Sequence, residues 1–201
     1  MPETMTPPQP NDLLDAYRRL REFRRGKSNE RVFTHPTCHP ALPTGFCFCE
    51  KSLGRAALFY WKAIVLALVF KLPMNWLKIW TLRRFGARVG NQVYFSAGVW
   101  IDPMFPELLT IEDCVFFGMD VKIITHEFQI DHFRAGKVLI RRGAFVGGFA
   151  TIRCGVEVGE GATVAACSVA YRDVPPGATL ISAPPMIVRR SEASALDTQT
   201  R

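Results

Sequence analysis

From Ile140 onward the chain reads IRRGAF, VGGFAT, IRCGVE, VGEGAT, VAACSV, AYRDVP, six blocks of six without a slip. The first place is aliphatic at Ile140, Val146, Ile152, Val158 and Val164, and Ala170 follows. The fifth is small or β-branched throughout: Ala144, Ala150, Val156, Ala162, Ser168 and Val174. An amphipathic helix repeats every 3.6 residues or so and a half-buried strand about every 2. A sustained period of six predicts a parallel β-helix, in which each block forms one flat side of a prism and three blocks complete a coil.

The frame extends backwards. Val89, Phe95 and Ile101 head three earlier blocks, and Ile111, Phe117 and Ile123 head three more, with Val93, Val99, Val115 and Val121 at fifth places. The result is an all-β core of about four coils with two excursions. One is short and starts at Asp102; the other, about eleven residues within Phe128 to Leu139, is expected to be polar and flexible. Gly90, Gly118, Gly147 and Gly159 recur at second places, where turn-like backbone is expected to suit glycine. No coil buries its apolar column alone; stacking closes the core and pairs amides between neighbours.

Ahead of the prism the pattern changes. Leu13, Leu14, Tyr17, Leu20 and Phe23 keep helical spacing against a basic face, a helix as compatible with solvent as with docking. Residues 56–82 are intensely apolar, with Lys62 inside and Pro73 dividing two predicted helices. Trp61, Trp76 and Trp80 beside basic residues suit a peripheral membrane contact; the alternative is packing on the prism or on a neighbouring subunit. The run is too short and too charged to be read as a span. The expected units are a partly helical arm over 1–55, an apolar helical lead-in over 56–87, the β-helix domain over 88–190 and a disordered tail over 191–201.

Net charge is +7, concentrated in the arm and at Arg83, Arg84 and Arg88. No recognition helix, RNP motif or aromatic-interleaved basic stripe accompanies it, so nucleic acid is not an expected partner. Six cysteines do not make a disulfide framework in a chain of 201 residues, and no secretory pattern opens the sequence, so a reducing, cytoplasmic setting is expected. His35, Cys38, His39, Cys47 and Cys49 are zinc-ligand types, but their spacing matches no finger or ribbon, and an irregular linker is the preferred reading.

Only His126 and His132 fall in the repeat region. His126 stands where a hexad breaks into the long excursion, so a rigid scaffold presents an imidazole, a side-chain type suited to taking a proton from a hydroxyl. The sequence of hexads, Thr125-His126-Glu127, a polar loop, uninterrupted hexads and DVPPGATLISAPPMIVRR resembles the hexapeptide-repeat acyltransferases. The likeness is to the maltose, galactoside, nodulation and exopolysaccharide O-acetyltransferase branch. It implies a left-handed prism that trimerises, with acetyl-CoA in the clefts between subunits, a saccharide acceptor and no metal.

By the same resemblance His126 is the general base, with Glu127 or a nearby acid orienting it. Gly148, Ala166, Tyr171, Arg172 and Arg189 line the CoA path, and Ser96 and Asp102 are the polar candidates for the acceptor. The chain departs from the family at AACSV, where glycines are common, and in having Ser96 where the sugar enzymes carry asparagine. Two further classes share the prism. A γ-type carbonic anhydrase needs three histidines around zinc, and a non-catalytic trimeric scaffold follows if the AACSV change excludes CoA.

Overall fold

The computed structural model of the protein describes residues 10–36, 53–129 and 132–182. Its centre is a column of three parallel sheets. The first stacks β2 (Arg88–Val89), β5 (Leu109–Ile111), β10 (Val138–Ile140) and β13 (Glu157–Val158). The second stacks β3 (Tyr94–Phe95), β6 (Phe116–Phe117), β11 (Phe145–Val146), β14 (Thr163–Val164) and β16 (Thr179–Leu180). The third stacks β4 (Trp100–Ile101), β7 (Lys122–Ile123), β12 (Thr151–Ile152) and β15 (Val169–Ala170).

Register follows the hexads. Ile140 pairs with Ile111 on one side and Val158 on the other, and Val146 sits between Phe117 and Val164. First-place and fifth-place side chains both point inward: Ile140, Val146, Ile152 and Val158 are fully buried, and so are Ala150 and Ala162. Each regular strand is the sixth place of one block plus the first of the next, so sixth-place residues such as Phe145 face outward. Inside, the Phe95 and Phe117 rings stack at 4.9 Å, continuing the strand spacing through the core.

The second-place glycines have a different cause from the one the sequence suggested. None of Gly90, Gly118, Gly147 and Gly159 has a positive φ; a Cβ on Gly147 would come 2.5 Å from the Ala166 amide nitrogen of the next coil. These positions are small because stacked backbones meet there. The left-handed backbone lies two places later, at Gly143 and Gly161 and also at Gln92, Cys114, Asp120, Phe149 and Cys167. Non-glycine residues accept that conformation at a local cost of about 1–2 kcal/mol each, outweighed by the continuous ladder on either side.

The other described helices and strands pack outside the column. α1 (Pro10–Arg24) leads to β1 (Val32–Pro36), and α2 (Leu53–Val69) and α3 (Asn75–Arg84) precede β2. β1 pairs antiparallel with β9 (His132–Gly136), which pairs antiparallel with β8 (His126–Phe128). The second excursion is therefore an ordered hairpin within a three-stranded sheet over its described residues, not the flexible polar loop expected. Phe133 and Ala135, alternating with polar neighbours, are fully buried and supply the physical reason.

α1 docks rather than standing in solvent. Leu20 and Phe23 bury against Phe33, Phe105, Leu108 and Phe133, a second apolar cluster separate from the column. The cluster is clamped by Arg24, which donates from Nε to Glu107 Oε1 at 2.6 Å and lies over the Phe105 ring at 4.7 Å. α3 caps the column's first coil, where Asn75 takes the Phe95 N–H at 2.9 Å and donates to the Val93 carbonyl at 2.7 Å. Beside it the buried Lys78 amine donates to the Phe95 and Ser96 carbonyls at 2.9 and 3.1 Å.

Candidate active site

Both excursions leave the column at one corner, on neighbouring coils. The first begins at Asp102, just after β4; the second begins after Ile124, just after β7, and those two strands pair. The ladder continues for one more step, with the Asp102 N–H donating to the Ile123 carbonyl at 3.0 Å. Asp102 is thereby delivered under Thr125 and His126.

The carboxylate of Asp102 is completely buried and fully engaged. Its Oδ2 accepts the Thr125 N–H at 3.0 Å, the Thr125 hydroxyl at 2.8 Å and the His126 N–H at 3.1 Å. It also meets Nδ1 of His126 in a short contact. Its Oδ1 accepts the Met104 N–H at 2.9 Å. Burial opposes charge on this group. The hydrogen bond and charge of His126, with the Met104 and Thr125 donors, outweigh burial and hold the carboxyl below the usual carboxylate range.

The imidazole is flanked by three aromatic rings, Phe105 and Phe128 edge-on and Phe133 tilted. Phe105, Phe128 and Phe133 stand 5.8, 5.2 and 6.2 Å from it between ring centroids. Its side chain is 17% exposed, so this ring reaches solvent while its carboxylate partner does not. With Nδ1 donating to an ionised carboxylate, Nε2 carries the lone pair.

Glu127 does not approach the ring. Neighbouring residues of a strand point to opposite faces, so the residue after His126 turns away from it. Glu127 accepts from Arg153 at both oxygens, Nε–Oε1 at 2.7 Å and a second nitrogen at 2.5 Å. Burial opposes its charge, but Arg153 and the nearby Arg134 hold its carboxyl below the usual range. Its role is to tie the hairpin to the column. Beside it the Cys154 thiol is pushed up to about 12, by burial first and then by Glu127, which leaves it un-ionised.

The remaining candidates divide between two corners. Tyr171 and Arg172 follow β15 and so share the edge of Asp102, His126 and Arg153. Both are exposed, with the guanidinium 5.1 Å from the phenol ring centroid. Ser96, Gly148 and Ala166 lie at the next corner, between the second and third sheets. A Cβ on Gly148 would meet the Met119 carbonyl oxygen at 3.3 Å, so this position is tight but not closed. Asp102, expected as an acceptor ligand, is sealed from solvent and instead holds the histidine. The signal for that pairing was available in the hexad frame, which places Asp102 and Ile124 at matching positions.

Arg189 lies outside the described residues, as do Cys38, His39, Cys47 and Cys49. His35 sits in β1 across from Phe133. Among the described residues no group of His, Cys, Asp and Glu side chains gathers to hold a metal ion.

A stacked parallel column built on hexads, with a carboxylate-bound histidine at its edge, defines a class, and the chain belongs to it: the hexapeptide-repeat acetyltransferases. Over 130 residues it is 35% identical to the Bacillus subtilis (strain 168) protein named "Putative acetyltransferase YvoF", covering 64% of this chain and 76% of that one. Its fold is that of the hexapeptide-repeat-containing acetyltransferase VCA0836 from Vibrio cholerae, at 20% identity and a TM-score of 0.55 over 69% of this chain and 93% of that one. The same enzyme complexed with acetyl coenzyme A matches at 22% identity and a TM-score of 0.54, over 69% of this chain and 89% of that one. No family model matches the chain.

Proposed function

We propose that the chain transfers an acetyl group from acetyl-CoA to a hydroxyl of a saccharide or polysaccharide precursor, with His126 as general base. The observation that carries this reading is the bond from His126 Nδ1 to the buried Asp102, which leaves Nε2 as the free base. Nε2 takes the acceptor hydroxyl's proton as its oxygen bonds to the thioester carbonyl carbon. The tetrahedral intermediate collapses with cleavage of the C–S bond, and the imidazolium returns the proton to the departing thiolate. Asp102 stays ionised throughout and stabilises the imidazolium between these two transfers.

The acting assembly in this reading is a homotrimer of left-handed columns of about four coils, in the cytoplasm. Two features support it. Tyr94, Phe116 and Phe145 form an exposed aromatic ladder along the second sheet, stacked at 5.1 and 5.3 Å, which gives a like subunit an apolar surface to cover. The candidate residues also occupy two different corners of one column, so a neighbour's Gly148 and Ala166 are needed opposite His126. Those two small residues suit passage of a pantetheine arm, and the exposed Tyr171 and Arg172 suit a nucleotide ring and its phosphates. Ser96 stands at the Gly148 corner as the polar residue offered to the acceptor.

The test is His126→Ala, with CoA release followed over a panel of mono- and oligosaccharide acceptors. Transfer is expected to fall by about 10²–10⁴-fold with CoA affinity preserved in calorimetry. Transfer retained within a few-fold removes the general-base role.

A further inference from the structure

The lead-in helices are built inside out for a protein surrounded by water. Along α2 the outward half carries Leu58, Tyr60, Trp61, Ile64 and Leu68, each more than half exposed, and from Ala56 to the helix's end its described outward positions carry no charge. Its charged residue within the described part of that helix, Lys62, is half-buried, its amine 5.9 Å from the Phe85 ring centroid on the protein side. α3 repeats the inversion. Lys78, Thr81 and Asn75 face the column, while Trp76 and Trp80 stand 66% and 59% exposed. A surface helix in water shows the opposite arrangement.

This face is not a misplaced core. Leu66 and Phe70 anchor α2 in the column's apolar cluster, and Phe70 meets the Phe95 ring at 5.3 Å. The exposed residues are therefore held outward by an inner face that is already satisfied. Charge then selects the occupant. Between Lys51 and Ile101 the chain carries eight Lys and Arg and no Asp or Glu. Exposed Lys71 and Arg84 lie at the ends of the two helices, while Arg83 is held to the Val89 and Gly90 carbonyls of the column. A second copy pressed against this face brings the same cations to the contact, whereas an anionic surface neutralises them.

We infer that the outer face of α2 and α3 rests in the head-group region of a membrane containing anionic lipid. Tryptophan and tyrosine supply rings that are apolar in body and polar at one edge, suited to that depth. α2 has 17 residues and so extends about 25 Å, lying in the plane of the interface. Among the described residues no helix is long and apolar enough to cross a membrane. The inference is independent of the acetyl-transfer reading, because none of its residues belongs to the candidate active site.

The experiment is flotation of the full chain with vesicles of phosphatidylcholine alone or with about 30% phosphatidylglycerol, with tryptophan emission recorded in parallel. The wild type is expected to float with the anionic vesicles, with a blue-shifted emission, and to be released by salt. A Trp61→Ser, Trp76→Ser, Trp80→Ser variant is expected to lose at least about tenfold in vesicle affinity while transferring acetyl groups to a soluble sugar at the wild-type rate. Lys71→Glu with Arg84→Glu is expected to weaken anionic binding selectively. The inference is overturned if the wild type ignores anionic vesicles or if the tryptophan variant floats equally well. It is also overturned if the three tryptophans are shielded from a soluble quencher without lipid and the variant changes oligomeric state, which assigns the face to a second copy.

Discussion

Asp102 and His126 lie 24 residues apart and meet because the chain leaves the same corner of the column on two successive coils. The carboxylate holds the ring nitrogen and, at the same time, the backbone N–H groups of Thr125 and His126. Position, tautomer and local backbone are thus set by a single buried side chain. Asp102→Asn keeps the size of that side chain but replaces one acceptor oxygen by a donor. Acetyl transfer is expected to fall by about 10²-fold or more, with the KM for acetyl-CoA little changed. Steady-state kinetics with nitrogen-detected NMR of the His126 ring tautomer checks both halves.

Three depressed carboxylates, Asp102, Glu127 and the Arg141-bonded Glu112, make an acid limb in stability. A group whose carboxyl is held below its unfolded value stabilises the fold fully above that value, about pH 4 for these side chains. The contribution drains as pH falls from there toward the folded value. All three act in this direction, so the urea midpoint is expected to be flat above about pH 5 and to decline below about pH 4. Glu127→Gln is expected to lower the midpoint at pH 7 and to make the decline shallower, since the substituted group no longer titrates.

Gly147 and Gly148 are adjacent but answer to different demands. A Cβ at Gly147 collides with the Ala166 backbone at 2.5 Å, whereas at Gly148 its nearest neighbour is 3.3 Å away. Gly147→Ala is expected to cost about 1–3 kcal/mol and lower Tm by several degrees. Gly148→Ala is expected to leave Tm within a degree or two and to raise the KM for acetyl-CoA several-fold if the pantetheine passes there. Melting curves and initial rates separate the two.

The cluster around Phe105 joins α1 to the β8–β9 hairpin as a cluster separate from the column's interior. Phe23, 1% exposed, contributes most of its surface to that cluster, and Phe23→Ala is expected to cost about 3–4 kcal/mol locally. Hydrogen exchange is expected to quicken in 126–136 and to stay slow in β11 to β14. Uniform acceleration across the column would mean that the two clusters unfold together.

The column was legible because a period of six repeated over many blocks leaves few alternatives, and the first-place inward residues could be named from the frame; the fifth-place residues, expected near the corners, are buried with them. What escaped depends on contacts between distant segments. Phe33, Phe105 and Phe133 come from three separate stretches, so nothing along the chain announced that Leu20 and Phe23 have a place to bury. The hairpin was partly visible: His132 to Gly136 alternates polar and apolar residues, a period-two pattern hidden inside a stretch read as polar. Glu127 attracted attention by adjacency to His126, yet adjacency on a strand separates side chains. The relevant acid sat a whole coil away, at the position the frame aligns with Ile124, two residues before His126.

The corner after the third sheet has a wider consequence for how such a chain diversifies. Every rung of the column passes that corner in the same orientation, and the ladders above and below close whether a rung runs straight on or detours outward. Lengthening a detour there leaves the register of Ile101, Ile123, Ile152 and Ala170 untouched, so new recognition segments can be tried beside the histidine without refolding the support beneath it. One edge of the molecule is thereby open to evolutionary tailoring while the rest is kept in fixed repeat.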